Sequence, residues 1–346
     1  MARNHSKSLA VQLPPSPRVY VITCTGARPE AFALCEKYMR RQTLKGGWTW
    51  IVVDDYEHAT PCTMGQTVIR PEPFWPGNSV HNTLNRNMVA GLRAVGTGSE
   101  DYVIFVEDDD WYSPTYLEEQ VAALSSFSDK QMVGQIPACY YHVKIGVYKV
   151  FDNRDHASLC QTAIRGTLVP ALIELCESGD WIDVTFWGRK ASVSRTYAGN
   201  KSVVGIKGLP GRPGVSAVHR TLGGSGWVGD PDGDTLRDWI GAEDALTYKQ
   251  HRLAVSTWEM RPQGGKMEDS KNQLESFVGL GGQVRFRCPG TKEERCAFDD
   301  YSVINVMKHW QGTHAQQDNA PAVNLFDAND QPLQQTRRLI IPGGTK

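Results

Sequence analysis

Two short runs of β-branched and aromatic residues flank an amphipathic segment near the start of the chain. Residues 18–23 and 48–53 have the apolar, β-branched character that is typical of buried strands. Between them, residues 29–41 place apolar side chains three or four positions apart, and a glycine pair at 46–47 ends the segment. This spacing indicates a helix with one buried face. The pattern predicts a β-α-β unit whose parallel strands are joined by a right-handed crossover.

The alternation of strands and helices continues to about residue 125. Prolines and glycines over 59–80 indicate an irregular loop, and residues 81–95 carry helical periodicity. A third apolar strand is predicted over 102–106, and a further helix over 115–124. Strands that alternate with helices in this way predict an α/β fold with a mostly parallel sheet flanked by helices.

The pattern becomes mixed beyond about residue 130. We predict strands over 131–150 and 158–165 and a short helix over 169–177. A long glycine-rich segment with basic residues follows over 205–226, and one further helix is predicted over 236–251. The chain therefore continues past the alternating region into a second, less regular half.

Charge and composition exclude several classes of protein. The chain has 346 residues with 37 Lys and Arg against 38 Asp and Glu, which argues against a polyanion partner held by bulk charge. No run of about 18 apolar residues is present, so no transmembrane segment is expected. The polar, proline-rich residues 1–17 lack the apolar core of a signal peptide. The eight cysteines form no C-x-x-C pair, which suits a reducing cytoplasm.

The clearest chemical signal is an acidic run that follows a predicted strand. Residues 102–106 lead directly into Glu107-Asp108-Asp109-Asp110. Four adjacent carboxylates repel one another unless a cation neutralises them. Ligands of open α/β sheets bind at the carboxyl ends of strands, where carboxylates can hold Mg²⁺ or Mn²⁺ against substrate phosphates. The alternative is a solvated acidic turn that precedes the next helix.

Five blocks follow a strand and a threonine-containing turn in the first third of the chain. They are Gln42-Thr43, Val53-Asp54-Asp55, Arg86-Asn87, the acidic run and Pro114-Thr115-Tyr116-Leu117. In this order they resemble the nucleotide-binding half of GT-A glycosyltransferases of family 2. The resemblance implies a Rossmann-like GT-A fold, a nucleotide-diphosphate sugar as donor and inverting transfer to a hydroxyl group. It also implies a bound Mn²⁺ or Mg²⁺.

The resemblance suggests a division of the chain. Residues 1–17 are a flexible lead, residues 18–226 form the GT-A domain, and residues 227–346 are a C-terminal extension. Within the GT-A domain, residues 18–125 would hold the nucleotide sugar and residues 126–226 the acceptor.

The resemblance also implies roles for individual residues. Donor contacts are implied for Thr23, Thr25, Asp54, Asp55, Arg86 and Asp108. Asp54 would accept a hydrogen bond from the base N3–H, which favours a UDP-sugar, and Asp108 would face the ribose. Metal ligands are implied among Glu107, Asp109, Asp110 and the late histidine His219. The family pattern begins with Asp where this chain has Glu107, which leaves open which carboxylates bind the metal. For Asp54-Asp55 the alternative is a turn at a strand end.

An inverting transferase needs a general base near the acceptor hydroxyl. The resemblance places an acidic residue at the start of a helix on the acceptor side, where this chain has Asp180 and, in reserve, Asp183. Asp244 is a second candidate, and each could instead be a helix cap or a surface carboxylate. Lys207 and Arg212 in the glycine-rich segment could neutralise the leaving diphosphate, unless this segment is only a loop with scattered basic residues.

These observations predict a metal-dependent glycosyltransferase with a UDP-sugar donor. The acceptor could be a glycan, a protein or a hydroxymethylated DNA base, as in phage-type enzymes that modify DNA. Trp111 and Trp227 lie beside the motifs and are candidates for stacking on a sugar or base. Two other classes stay open: a nucleotidyltransferase that acts on a sugar phosphate, and a non-catalytic protein that binds nucleotide sugars or carbohydrates.

Overall fold

The computed structural model describes the chain in several stretches. Side chains are described for residues 17–76, 82–96, 98, 100–199, 201–212, 227–230 and 232–251. Further along, the backbone is described for the strands Val255–Thr257, Glu259–Gln263, Gln283–Arg287, Glu294–Ala297 and Ala322–Phe326. The predicted metal ligand His219 and residues 1–16 of the predicted lead lie outside these residues.

Strands and helices alternate through the first part of the chain and are mixed later, as predicted. The strands are β1 (Val19–Thr25), β2 (Thr49–Asp54), β3 (Thr67–Ile69), β4 (Tyr102–Phe105), β5 (Trp111–Tyr112), β6 (Met132–Ile136), β7 (Ala138–His142), β8 (Val147–Phe151), β9 (Thr162–Arg165), β10 (Ser194–Ala198), β11 (Val203–Lys207) and β12 (Val228–Gly229). The helices are α1 (Pro29–Arg40), α2 (Leu84–Ala94), α3 (Tyr116–Ser126), α4 (Val169–Glu177), α5 (Ile182–Arg189), α6 (Asp234–Ile240) and α7 (Ala242–Lys249).

A mostly parallel sheet of seven strands is the centre of the fold, in the order β10-β6-β9-β4-β1-β2-β3. β1 is parallel to both of its neighbours, β2 and β4, and β9 is antiparallel to β4 and β6. The predicted β-α-β unit and the predicted mixed α/β fold with flanking helices are therefore confirmed.

Both faces of this sheet are covered. Successive residues of a strand point to opposite faces, so Val21 packs in a cluster that includes Phe32 of α1 and Leu117 of α3. The next residue, Ile22, packs on the other face with Met88 of α2 and with residues of α4 and α5. Burial on both faces explains why β1, β2 and β4 are apolar almost throughout.

A second sheet of five strands, in the order β12-β8-β7-β11-β5, lies next to the acidic run. β5 follows the acidic run directly, and β11 pairs antiparallel with it through Val204 and Trp111. This pairing carries the end of β11, Lys207, to the acidic run.

Three predicted elements differ from the structure. The loop predicted over 59–80 contains β3, which extends the sheet parallel to β2. The strand predicted over 131–150 is divided into β6, β7 and β8, with Pro137 between the first two and a turn before the third. The helix predicted over 236–251 is two helices, because Gly241 between them has a φ of +84°. None of the helices in the described stretches combines the length and the apolar character of a membrane span.

Candidate functional site

A cavity of about 410 Å³ lies at the carboxyl ends of β1 and β4. Because these strands are parallel neighbours, the turn after β1 and the acidic run after β4 meet at the same edge of the sheet. The start of α2, the turn between α4 and α5, and the segment after β11 complete the wall.

The cavity brings together eight of the residues that the sequence predicted for the site. They are Thr25, Glu107, Asp108, Asp109, Asp180, Asp183, Lys207 and Arg212. These residues span more than half of the chain, so the fold gathers candidates for donor, metal and base functions around one space.

Asp108 and Asp109 are buried against the turn after β1. The Asp108 carboxylate accepts a hydrogen bond from Thr25 Oγ1 at 2.7 Å and pairs with Arg28 Nη1 at 2.6 Å. The same guanidinium nitrogen lies 3.3 Å from Asp109 Oδ2. Arg28 was not among the predicted site residues, although it is the basic residue of the turn after β1 and lines the cavity. It supplies one positive charge to the acidic run.

Lys207 supplies the second positive charge. Its Nζ lies 3.1 Å from Asp110 Oδ1 and 3.9 Å from Asp109 Oδ2. Asp110 Oδ1 also accepts a hydrogen bond from the backbone N–H of Ile206 at 3.0 Å, so the carboxylate is held by the end of β11. Asp110 itself does not line the cavity and lies behind Glu107 and Asp109.

Negative charge exceeds positive charge within this cluster, since four carboxylates face the two cations. Burial and the neighbouring carboxylates Asp110 and Asp109 raise the pKa of Glu107 well above its usual range, although Lys207 opposes this. Burial likewise raises the pKa of Asp108 and of Asp110, despite the charges of Arg28 and Lys207. The cluster is therefore suited to a further cation.

The donor atoms of the cluster fit a divalent metal ion. Glu107, Asp110 and Cys160 each offer one ligand atom, and these atoms lie within 4.8 Å of one another. Asp110 Oδ2 is buried and has no hydrogen-bond partner among the residues that the structure describes. Carboxylate oxygens suit Mg²⁺ and Mn²⁺, and the thiol of Cys160, which the sequence did not predict, adds a softer donor.

Thr23 and Asp54, both predicted to contact the donor base, do not line the cavity. Thr23 is fully buried, and its hydroxyl accepts a hydrogen bond from Trp50 Nε1 at 3.0 Å. The buried Asp54 carboxylate accepts hydrogen bonds from the backbone N–H groups of Tyr56 at 3.1 Å and Thr60 at 2.8 Å. The Asp54 carboxylate thus holds the turn after β2, as in the alternative that the sequence leaves open, and its contact with a donor base stays a prediction.

Asp55 and Arg86 do not line the cavity, but Asp55 contacts Arg212, which does. Arg212 Nη1 donates to Asp55 Oδ1 at 2.8 Å, and Arg86 Nη2 donates to Asp55 Oδ2 at 3.2 Å. Thr83 hydrogen-bonds the same carboxylate and accepts from Arg212 Nη2 at 2.8 Å. Burial opposes ionisation of Asp55, but hydrogen bonds from Thr83 and Asn87 and the charge of Arg212 lower its pKa. Asp55 thus fixes the guanidinium of Arg212 at the cavity.

The segment 208–212, which we call the strap, crosses from β11 to the turn after β1. Arg212 N donates to Ala27 O at 3.0 Å, and Arg28 Nε donates to Arg212 O at 2.7 Å. Gly211 has a φ of +101°, and a Cβ there would lie 2.5 Å from Ala27 O. The strap approaches this closely because the residue has no side chain.

The turn between α4 and α5 carries the two predicted base candidates. The Asp180 carbonyl accepts a hydrogen bond from Asn85 Nδ2 at 2.9 Å, which ties the turn to α2. The Asp180 carboxylate pairs with Arg189 Nη2 at 2.6 Å and accepts from Ser178 Oγ at 3.0 Å. The Asp183 carboxylate accepts from the backbone N–H of the next residue at 2.7 Å. Both residues are among those that line the cavity.

The third base candidate, Asp244, lies elsewhere. It pairs with Lys37 at 3.0 Å and with Arg41, and it accepts a hydrogen bond from Trp111 Nε1 at 2.7 Å. This buried group joins α7 to α1 and does not line the cavity. Trp111 is buried in the core, so the prediction that it stacks on a ligand is wrong.

Comparison with known proteins gives remote likenesses only. No protein-family model matches the chain, and no curated protein matches it. S. aureus TarS residues 1–349 in complex with UDP is 14% identical, with a TM-score of 0.38 over 55% of this chain and 60% of that one. The mannosyltransferase PcManGT from Pyrobaculum calidifontis, in complex with GDP-Man and Mn²⁺, is 15% identical, with a TM-score of 0.36 over 56% and 58%. The chain spans less than two thirds of each of these structures, and likenesses of this size do not decide a function.

Proposed function

We propose that the chain is a glycosyltransferase that takes its sugar from a nucleotide-diphosphate sugar with the help of a divalent metal ion. One observation carries the proposal. A single cavity at the carboxyl ends of β1 and β4 is lined by buried carboxylates, by basic residues and by a second, separate pair of carboxylates. A diphosphate, a cation and a reacting hydroxyl each find suitable groups there.

Lys207, Arg28 and Arg212 are the groups suited to the diphosphate. All three line the cavity, and their side chains are mostly buried, which strengthens their attraction for an anion. Arg212 is held in place by Asp55 and Thr83, so its guanidinium needs little reorganisation when charge builds up on the leaving group. The preference for a UDP-sugar rests on the family resemblance alone. Asp54, the residue predicted to contact the base, holds the turn after β2 and does not line the cavity.

Glu107 and Asp109 would hold the metal from the cavity side, and Asp110 would hold it from behind. When bound, the cation neutralises the diphosphate and stabilises it as a leaving group. In the proposed function His219 is a further metal ligand, from a part of the chain that the structure does not describe.

Asp180 is the proposed general base, with Asp183 as the reserve. The base removes the proton of the acceptor hydroxyl, whose oxygen then attacks the anomeric carbon. The bond from that carbon to the diphosphate oxygen breaks, and inversion follows from attack on the opposite face. The pair with Arg189 and the hydrogen bond from Ser178 hold the Asp180 carboxylate in one orientation.

A thermal-shift screen of nucleotide sugars with and without Mn²⁺ tests the proposal. A ligand present at a hundred times its Kd adds about 2.7 kcal/mol to the folded state, which is roughly 5–10 °C for a domain of this size. We expect this shift with UDP-sugars and Mn²⁺ together. Asp109→Asn should lose the Mn²⁺-dependent part, whereas Asp129→Asn, which changes an exposed carboxylate on the loop after α3, should keep it. The absence of a shift with every nucleotide sugar would contradict the proposal.

A further inference from the structure

The rim of the cavity carries an exposed tryptophan. Trp181 is 65% exposed, and no other tryptophan whose side chain the structure describes is exposed to this degree. Trp181 is one of the residues that line the cavity. Val184, in the first turn of α5, is also 56% exposed but does not line the cavity. An exposed aromatic side chain in a cavity wall commonly marks a place where a ligand binds.

The backbone that carries Trp181 is held firmly. α4 ends at Glu177, Gly179 shortly after it has a φ of +79°, and Asn85 Nδ2 donates to the carbonyl of Asp180 at 2.9 Å. On the other side, Phe186 and Trp187 of α5 are buried in the core. α5 therefore packs one face on the core. The exposure of Trp181 does not result from a missing core next to this helix.

The groups around the indole specify what it would bind. Asp180 and Asp183 flank it in sequence and line the same cavity, so hydrogen-bond acceptors stand next to an apolar ring face. A pyranose matches this arrangement, because its C–H groups pack on the electron-rich face of an aromatic ring while its hydroxyls donate to carboxylates.

We propose that Trp181 forms the acceptor subsite and that its ring receives a pyranose ring of a neutral glycan. This inference rests on the proposed function, because it places the sugar hydroxyl within reach of the base candidates. It selects one of the three acceptor classes that the sequence leaves open.

Fluorine NMR of protein labelled with 5-fluorotryptophan tests the subsite. The resonance of Trp181 is identified by its loss in Trp181→Phe, and the other tryptophan resonances report whether the variants keep their fold. The probes are maltotetraose, cellotetraose and chitotetraose, together with a single-stranded oligonucleotide that contains 5-hydroxymethylcytosine. We expect at least one oligosaccharide, and not the oligonucleotide, to shift the Trp181 resonance.

Variants then measure the contribution of the ring. Trp181→Ala should raise the Kd of that oligosaccharide about tenfold, equivalent to about 1.4 kcal/mol. Leu246→Ala, which removes an exposed apolar side chain on α7, should leave the Kd unchanged. Equal effects of the two variants, a response to the oligonucleotide alone, or no response to any oligosaccharide would overturn the inference.

Titration of UDP with Mn²⁺ separates this inference from the proposed function. If UDP binds and no oligosaccharide reaches Trp181, the acceptor subsite is wrong and the transferase proposal stands. If oligosaccharide binds at Trp181 and UDP does not, Trp181 still binds a glycan, but the transferase proposal fails and the chain is a carbohydrate-binding protein. If Trp181→Ala weakens UDP as much as it weakens the oligosaccharide, the ring belongs to the donor and the inference fails.

Discussion

Replacing Lys207 by Met tests the charge balance of the cluster. The Lys207 side chain is 4% exposed, and its Nζ lies 3.1 Å from Asp110 Oδ1. Burial would lower its pKa, but the charges of Asp109 and Asp110 hold the pKa of Lys207 well above its usual range. Met has a similar length and fills most of the same space, so the substitution removes the charge with little change in packing.

The expected effect follows from the burial of both partners. Removing one partner of a buried ion pair leaves the other charge uncompensated and typically costs about 3–5 kcal/mol. Lys207→Met should therefore lower the free energy of unfolding by about 3–5 kcal/mol in the presence of EDTA. Mn²⁺ should restore more stability to this variant than to the wild type, because the cation takes over the neutralisation of Asp110.

Urea unfolding followed by circular dichroism, with EDTA and again with excess MnCl₂, measures both effects. Lys45→Met is the matched control, because this lysine is exposed in the loop after α1. The double variant Lys207→Met, Asp110→Asn should be less destabilised than the sum of the two single variants, since it removes both charges of the pair. A loss in Lys207→Met that is no larger than in Lys45→Met would refute the reasoning.

Three further predictions concern the strap, the base and the group that joins α7 to α1. Gly211→Ala should destabilise the fold by about 1–3 kcal/mol and weaken nucleotide-sugar binding, because the added Cβ meets Ala27 O; urea unfolding and calorimetry measure this. Asp180→Asn should lower kcat about 10²–10⁴-fold in a transfer assay, while the donor still binds. Asp244→Asn should lower the free energy of unfolding at neutral pH by about 1–3 kcal/mol, because three hydrogen-bond donors lose a charged acceptor. Burial opposes ionisation of Asp244, but these hydrogen bonds lower its pKa, so its contribution is present above about pH 4 and is lost as the pH falls below that value.

Each of these predictions has a matched control. Gly46→Ala has a similar positive φ of +93° but no atom within 4 Å of the new Cβ, so a loss as large as in Gly211→Ala would exclude the contact as its cause. If Asp183→Asn loses turnover and Asp180→Asn retains it, the base is Asp183. Asp238→Asn changes an exposed carboxylate on α6, and its acid unfolding should follow the wild type. An equally wild-type acid profile for Asp244→Asn would contradict the assignment of the pKa.

Local patterns were enough to predict β1, β2 and β4 of the central sheet and the strand end at which the cavity lies, but not β3 or β10. Apolar strands buried on both faces give a strong signal, and the acidic run directly after β4 had to fall at a carboxyl end. Gly241 and Pro137 are sequence signals for the breaks between α6 and α7 and between β6 and β7. The predicted helix and the predicted strand segment nevertheless continued through these two residues.

Other features depend on which elements meet in space. Asp54 and Asp55 are adjacent in sequence, yet one holds a turn and the other holds Arg212, because neighbouring residues point in different directions. Arg28 gains its place only because β4 lies beside β1. The exposure of Trp181, directly before α5, contrasts with the burial of Trp187 on α5; it follows from the packing of this helix and has no local signature.

The central claim is that the cavity supports transfer of a sugar with release of a nucleoside diphosphate. Phosphorus NMR of the purified protein with a UDP-sugar and Mn²⁺, with and without a neutral oligosaccharide, tests it most directly. The proposed function predicts UDP as the phosphorus-containing product, formed faster with the oligosaccharide and lost in Asp109→Asn. Formation of UTP and a sugar 1-phosphate when pyrophosphate is added would instead indicate a nucleotidyltransferase. A UDP-sugar that binds with Mn²⁺ but stays intact under every condition would contradict catalysis.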